Sequence, residues 1–250
     1  MVICTIFGGG MMEMHESIAS PQVYEDSMLW MPWKEMHAKT VGFVSANAPR
    51  NGRVLDLMCG TGKLLRDIHA KRPDLQLMGV DNSAAYLQYA RSGCSDIAWV
   101  ESDVRRWFHA EPFDIVVCHG SLHHLPLADQ PNLVKTMRAL VKEDGLVIVA
   151  DACVREYDGE QDRRLAVLEL GAAYLREMIS ANQYVPALML QVGCNILASD
   201  LASTEWKSSA RQHEEWFLWN FRSFTTEKTW EPQQVPDKDG VGEFVWVLRP

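Results

Sequence analysis

Between residues 53 and 151 five short apolar runs alternate with amphipathic stretches of helical length, and few architectures accept that rhythm. The runs are "RVLDLM" (53–58), "LQLMGVD" (75–81), "IAWVES" (97–102), "FDIVVCH" (113–119) and "GLVIVAD" (145–151). Their apolar character is nearly continuous rather than alternating, as in strands covered on both faces of a parallel sheet. The spacers "GKLLRDIHAKR" (62–72), "SAAYLQYARS" (83–92) and "QPNLVKTMRALVKE" (130–143) read as helices. The third carries Leu133, Met137, Leu140 and Val141 at helical spacing. Ser83 is placed to cap the second helix, and Gly145 to follow the last turn of the third. Strand–helix–strand alternation of this kind predicts right-handed crossovers and an open, doubly wound α/β sheet. Such sheets bind ligands beyond the carboxyl ends of their strands, near the topological switch point.

The flanks read differently. Residues 156–217 show helical periodicity and no convincing strand, so a helical insert is expected after the fifth strand. "FRSFTTEKTW" (221–230) and "GEFVWVLRP" (242–250) read as two strands pairing antiparallel through the turn "EPQQVPDKDG". Residues 14–48 read as helices carrying Trp30, Trp33 and Met36. The expected organisation is a loosely held tail over 1–13 and one domain over 14–250. That domain divides into N-terminal cap helices (14–48), a core (50–151), an insert or cap (156–217) and a final strand pair (218–250). Met11, Met12 and Met14 are alternative starts behind the triple glycine of the tail.

Composition narrows the partners. A net charge of −9, with no Lys/Arg cluster longer than a pair, argues against a nucleic-acid partner. No apolar run approaches the roughly 20 residues of a membrane span, and the short apolar opening is a poor secretion signal. Six scattered cysteines (Cys4, Cys59, Cys94, Cys118, Cys153, Cys194) form no Cys-x-x-Cys pair, and several sit in apolar runs. That usage fits free thiols in a reducing cytoplasm better than a disulfide framework.

The stretch "RVLDLMCGTGKLL" concentrates backbone freedom between a buried strand and a helix. Gly60 and Gly62 allow a ligand close to the backbone and accept positive φ. The helix that follows offers free N–H groups and a positive dipole end. Asp81 closes the second strand 19 residues beyond Gly62, where an acid can accept both hydroxyls of a ribose. Asp103 follows the third strand, within reach of an adenine amino group. A nicotinamide or flavin site would want a third glycine where Leu65 stands, and the Walker spacing is missing.

These residues resemble the class I S-adenosylmethionine-dependent methyltransferases. The resemblance rests on "VLDLMCGTG", "GVDNS", "ESDVR", "FDIVVCHGSLHHL" and "LVKEDGLVIVAD", covers residues 50–151 closely, and agrees with the final strand pair. It implies a Rossmann-like seven-stranded sheet, mostly parallel with an antiparallel last strand, helices on both faces, and a cap built from the N-terminal helices and the insert. It implies S-adenosyl-L-methionine as cofactor and S-adenosyl-L-homocysteine as product. Asp56 would steady the turn and the methionine amino group, with Met58, Gly60 and Gly62 beneath the cofactor. Met58 departs from the family's first glycine. Asp81 would bind ribose, Asn82 would lie at the adenine edge, Asp103 and Val104 would bracket the adenine, and His119 would line the methionine end.

Methyl transfer from a sulfonium is an in-line displacement, so positioning dominates, with a base added when the acceptor carries a proton. His119, His123 and His124 are the base candidates, although "LHHL" recurs in the family among unrelated acceptors and also serves to shape the loop. Asp151 after strand 5 reads first as a helix cap or loop anchor, and only then as a metal ligand or a base. Three histidines within six residues raise a metal site. No carboxylate or cysteine stands at ligand spacing in the same loop, so no metal is expected. Tyr24, Trp30, Trp33, Tyr174, Tyr184, Trp216 and Trp219 are candidates for an acceptor pocket wall, or they pack the insert on the sheet or a homodimer interface. Three functions stay open: methylation of O, N or C on a small organic acceptor, methylation of tRNA or protein, and cofactor binding without transfer.

Overall fold

The computed structural model describes residues 20–202, 205–233, 235 and 240–250. The expected tail, the alternative starts and Cys4 lie outside these residues. Two helices come first, α1 (Pro21–Ser27) and α2 (Trp33–Asn47). The core follows as β1 (Arg53–Leu57), α3 (Lys63–Lys71), β2 (Gln76–Asp81), α4 (Ala84–Gly93), β3 (Ala98–Glu101), β4 (Phe113–His119), α5 (Gln130–Leu140) and β5 (Val141–Cys153). The insert is helical, with α6 (Gly159–Ser180), α7 (Ala187–Leu201) and α8 (Ala210–Asn220), before β6 (Ser223–Trp230) and β7 (Gly242–Arg249).

The strands form one sheet in the order β3-β2-β1-β4-β5-β7-β6. β7 alone runs against the direction of the other six strands. The order reverses between β1 and β4, which pair in parallel, and this is the switch point where such sheets open to ligands.

Side-chain alternation explains why the strands looked continuously apolar. Val54, Ile115, Val117, Ile148 and Val245 enter one buried cluster with Leu64, Leu65 and Ile68 of α3. Leu55, Leu57, Val116, Cys118, Val147, Val149 and Trp246 enter another with Leu133, Met137 and Phe217 of the helices opposite. Period-2 geometry therefore sends apolar residues to both faces. A third cluster gathers Ala152 and Val154 with the insert's Val167, Leu170, Tyr174 and Met178.

One expectation is corrected at the third core helix. It stops at Leu140, because Val141 turns extended (φ −94, ψ 146) and pairs with Phe113. Gly145 lies inside β5 rather than capping the helix. No helix among the described residues is long and apolar enough to cross a membrane.

Candidate active site

The β1–α3 turn is built on left-handed backbone. Met58 (φ 60), Gly60 (φ 52) and Gly62 (φ 75) all adopt it. The two glycines are required for different reasons. A Cβ on Gly62 would meet Trp99 Cη2 at 2.3 Å and Ala90 Cβ at 3.0 Å, so Gly62 lets β3 and α4 pack on the turn. A Cβ on Gly60 would find only Tyr86 Cδ2, at 4.0 Å, so the space above that peptide is open. Asp81 braces the turn from the next strand, one oxygen accepting from Gly60 N–H and the other from Ser83 N–H, both at 2.8 Å. Ser83 in turn caps α4 by accepting from Tyr86 N–H. Asp56 is 2% exposed, and its Oδ1 has no hydrogen-bond partner. Burial first, and Asp81 second, push its carboxyl well above the ordinary range.

Asp103 turns back on its own loop. It accepts from the Arg105 backbone and guanidinium, which also reaches Asp129. The Arg105 hydrogen bond lowers its pKa despite the opposing effect of desolvation. Val104 is buried and Asn82 is exposed. α1 roofs this side: Tyr24 stacks on Tyr86, and Glu25 pairs with Arg66 of α3 at 2.6 Å. Burial and Tyr86 push the Tyr24 phenol up.

His119 ends β4 against α2, with Thr40 Oγ1 at 3.3 Å from its Nδ1 and the His37 ring edge-on at 5.3 Å. Burial and His37 drive its pKa down to about 3, so the imidazole is neutral. His37 is held by Asp67 at 2.7 Å.

His123 and His124 sit on a 3₁₀ turn (Leu122–His124) beneath β5. Asp151, fully buried, accepts from His123 Nδ1 at 2.5 Å and from the His123 and Ala152 backbone N–H groups. Burial raises the Asp151 pKa, but the His123 charge and hydrogen bond outweigh it and hold the carboxyl at about 2. The same pairing lifts His123 against its own desolvation. Asp151 is thus the anchor of the histidine turn.

The carboxylate that this loop lacks arrives from the insert. Glu205 lies 3.7 Å from both His123 Nε2 and His124 Nδ1. Trp206 N–H donates to the His123 carbonyl oxygen at 2.6 Å, and Gln130 reaches the Trp206 carbonyl oxygen, stitching the two loops together. Lys207 bonds Glu205 at 3.0 Å and also pairs with buried Asp200. Glu205, Lys207 and Asp200 carry no local pattern that sequence reasoning could use; they stand 81 or more residues from His119 along the chain or are hidden in an apolar helix.

The candidate pocket aromatics separate. Trp30, Trp33, Tyr174 and the unanticipated Trp230 share the third cluster, with Trp33 and Trp230 at 6.1 and 5.2 Å from the Tyr174 ring. The Tyr174 hydroxyl donates to Glu243, a buried acid at the start of β7. Tyr24 lies by the glycine turn instead. Trp216 packs beside His213 on the opposite cluster, and Tyr184 and Trp219 are 74% exposed.

Residues 54–145 match the family model described as a methyltransferase domain. Over that stretch, with this sheet and this turn, the chain is similar to the class I S-adenosylmethionine-dependent methyltransferases. Among curated relatives it is similar to a trans-aconitate 2-methyltransferase of Yersinia pseudotuberculosis, 27% identical over 54% of this chain and 55% of the relative. A trans-aconitate 2-methyltransferase of Escherichia coli O1:K1 is 32% identical over 38% of this chain and 37% of the relative. The chain thus spans about half or less of those relatives. The plantazolicin methyltransferase BpumL in complex with SAH shares the fold, with a TM-score of 0.60 at 12% identity over 91% of this chain and 89% of that one.

Proposed function

We propose that the chain transfers a methyl group from S-adenosylmethionine to O, N or C of a small organic acceptor. The observation that carries this reading is the pairing of an open space above Gly60 with the orphaned buried oxygen of Asp56. Both features want a ligand: a backbone cradle that a side chain would fill, and a buried carboxyl oxygen without a hydrogen-bond partner. An ammonium-bearing ligand suits Asp56, and its arrival ends the cost of an unsatisfied buried oxygen. Each Asp81 oxygen already holds one N–H and retains a second lone pair, so it can accept a ribose hydroxyl without releasing the turn. The bound cofactor would supply an electrophilic methyl group. Asp56, Gly60, Gly62 and Asp81 would hold it, with Met58, Asn82, Asp103, Val104 and His119 around it.

The protein's remaining work is to seat the acceptor and exclude water. His119 is neutral and turned toward α2, so it shapes the methionine end rather than carrying a proton. The aromatic cluster of Trp30, Trp33, Tyr174 and Trp230 is the best candidate for acceptor packing. The curated relatives are named for a small carboxylic acid substrate, which supports a small-molecule acceptor over a macromolecule. The net charge of −9 disfavours tRNA further.

Calorimetric titration with S-adenosylmethionine tests the cofactor half. Wild type is expected to bind with one equivalent, and Asp81→Ala and Asp56→Ala to lose measurable binding; unchanged affinity in both refutes the assignment. Radiolabelled methyl donor with a metabolite extract tests the acceptor half. Label on a small organic product supports the reading, and label confined to RNA or protein overturns it.

A further inference from the structure

We propose that His123 Nε2, His124 Nδ1 and Glu205 form a binding site for a divalent transition metal of the zinc class. The donor atoms of these three residues all lie within 4.8 Å of one another. Glu205 stands 3.7 Å from each imidazole nitrogen. Metal–ligand bonds of about 2.0–2.2 Å in a tetrahedron place neighbouring donors roughly 3.4 Å apart. The Glu205 contacts exceed that spacing by about 0.3 Å and the widest donor pair by up to about 1.4 Å, so closing on an ion requires side-chain adjustment and no backbone rearrangement. Two imidazoles and a carboxylate form a donor set that suits zinc, cobalt or nickel and leaves a position open for water or an acceptor atom.

The residues behind the donors support the same assignment. Asp151 accepts the Nδ1–H hydrogen bond of His123, so the neutral imidazole carries its lone pair on Nε2, on the side facing Glu205. This carboxylate–histidine relay is how metal-binding imidazoles are oriented. Lys207 holds Glu205 Oε2 at 3.0 Å and leaves Oε1, the oxygen facing His124, for a ligand bond. The bond from Trp206 N–H to the His123 carbonyl oxygen sets the insert loop in register with the histidine turn before any ion arrives.

The test uses the full chain, stripped with chelator, and titrates Zn²⁺ and Co²⁺ calorimetrically. One saturable equivalent is expected, with a rise in Tm on Zn²⁺ addition. Mg²⁺, which prefers oxygen donors, should not compete. His124→Ala and Glu205→Gln should each weaken binding at least tenfold, and Asp151→Asn by roughly 10–100-fold. His124 is 43% exposed at the side chain, so its variant should fold normally and keep its circular dichroism. S-adenosylmethionine affinity, measured in parallel, should be retained in the His124 variant, which separates failure of this site from failure of the cofactor assignment. Absence of saturable binding to the stripped chain, or affinity unchanged in both His124→Ala and Glu205→Gln, overturns the proposal.

Discussion

Two glycines two positions apart in one turn answer to different pressures, and substitution should separate them. Gly62→Ala sets a methyl group into the Trp99 ring, so overpacking of about 1–3 kcal/mol adds to about 1 kcal/mol of left-handed strain. Gly60→Ala carries the strain alone, because its Cβ meets nothing nearer than 4.0 Å. The expected outcome is a sharp drop in Tm for Gly62→Ala with a small one for Gly60→Ala, whereas cofactor affinity falls in both. Differential scanning calorimetry beside a binding titration checks it. Glu243 makes a second prediction at this scale. Burial raises its carboxyl from an ordinary 4.5 to about 7, with Asp151 adding and Tyr174, His123 and Lys207 opposing. Between those values the native state holds a proton that the unfolded chain has released. Stability therefore falls as pH rises through that window, by up to about 1.4 kcal/mol per unit. Chemical denaturation at pH 5 and pH 8 should show that loss in wild type and a flatter profile in Glu243→Gln.

Elements whose cause is local were legible from the chain. The five core strands and three core helices declare themselves because apolar side chains must fill both faces of the sheet, and Ser83 caps α4 as its position predicts. The glycine turn, Asp81 and the histidine turn were visible for the same reason: each sits at a strand end of readable period. The junction after α5 was misread because pairing with Phe113 takes Val141 out of the helix, a tertiary effect that no local pattern announces. Glu205, Lys207, Trp230 and Glu243 were not visible at all. Their neighbours are set by how the insert and β7 fold back on the strand ends, not by spacing. Within the insert, α8 has its own start signal: Ser209 and Gln212 form a reciprocal capping box. Ser209→Ala should remove about 1 kcal/mol, seen as a Tm lower by about 2–4 °C for a protein of this size, with cofactor binding unchanged.

For the molecule as a whole, the sheet divides its thiols by access. Cys59, Cys118 and Cys153 are buried, and desolvation pushes all three thiols up, whereas Cys194 is exposed on α7. Native alkylation followed by peptide mass spectrometry should modify Cys194 and leave Cys118 and Cys153 unreacted until denaturant is added. Early modification of Cys118 would mean that the sheet opens far more readily than its packing implies. The reversed direction of β7 has a consequence of its own. Because it runs against β5, pairing Gly242 with Cys153 and Leu248 with Val147, the strand enters at the ligand-binding rim and leaves at the far one. Function and stability are therefore graded along eight consecutive residues: on the proposed function, exchanges near Glu243 should alter acceptor choice, and those near Arg249 only how firmly the sheet holds together.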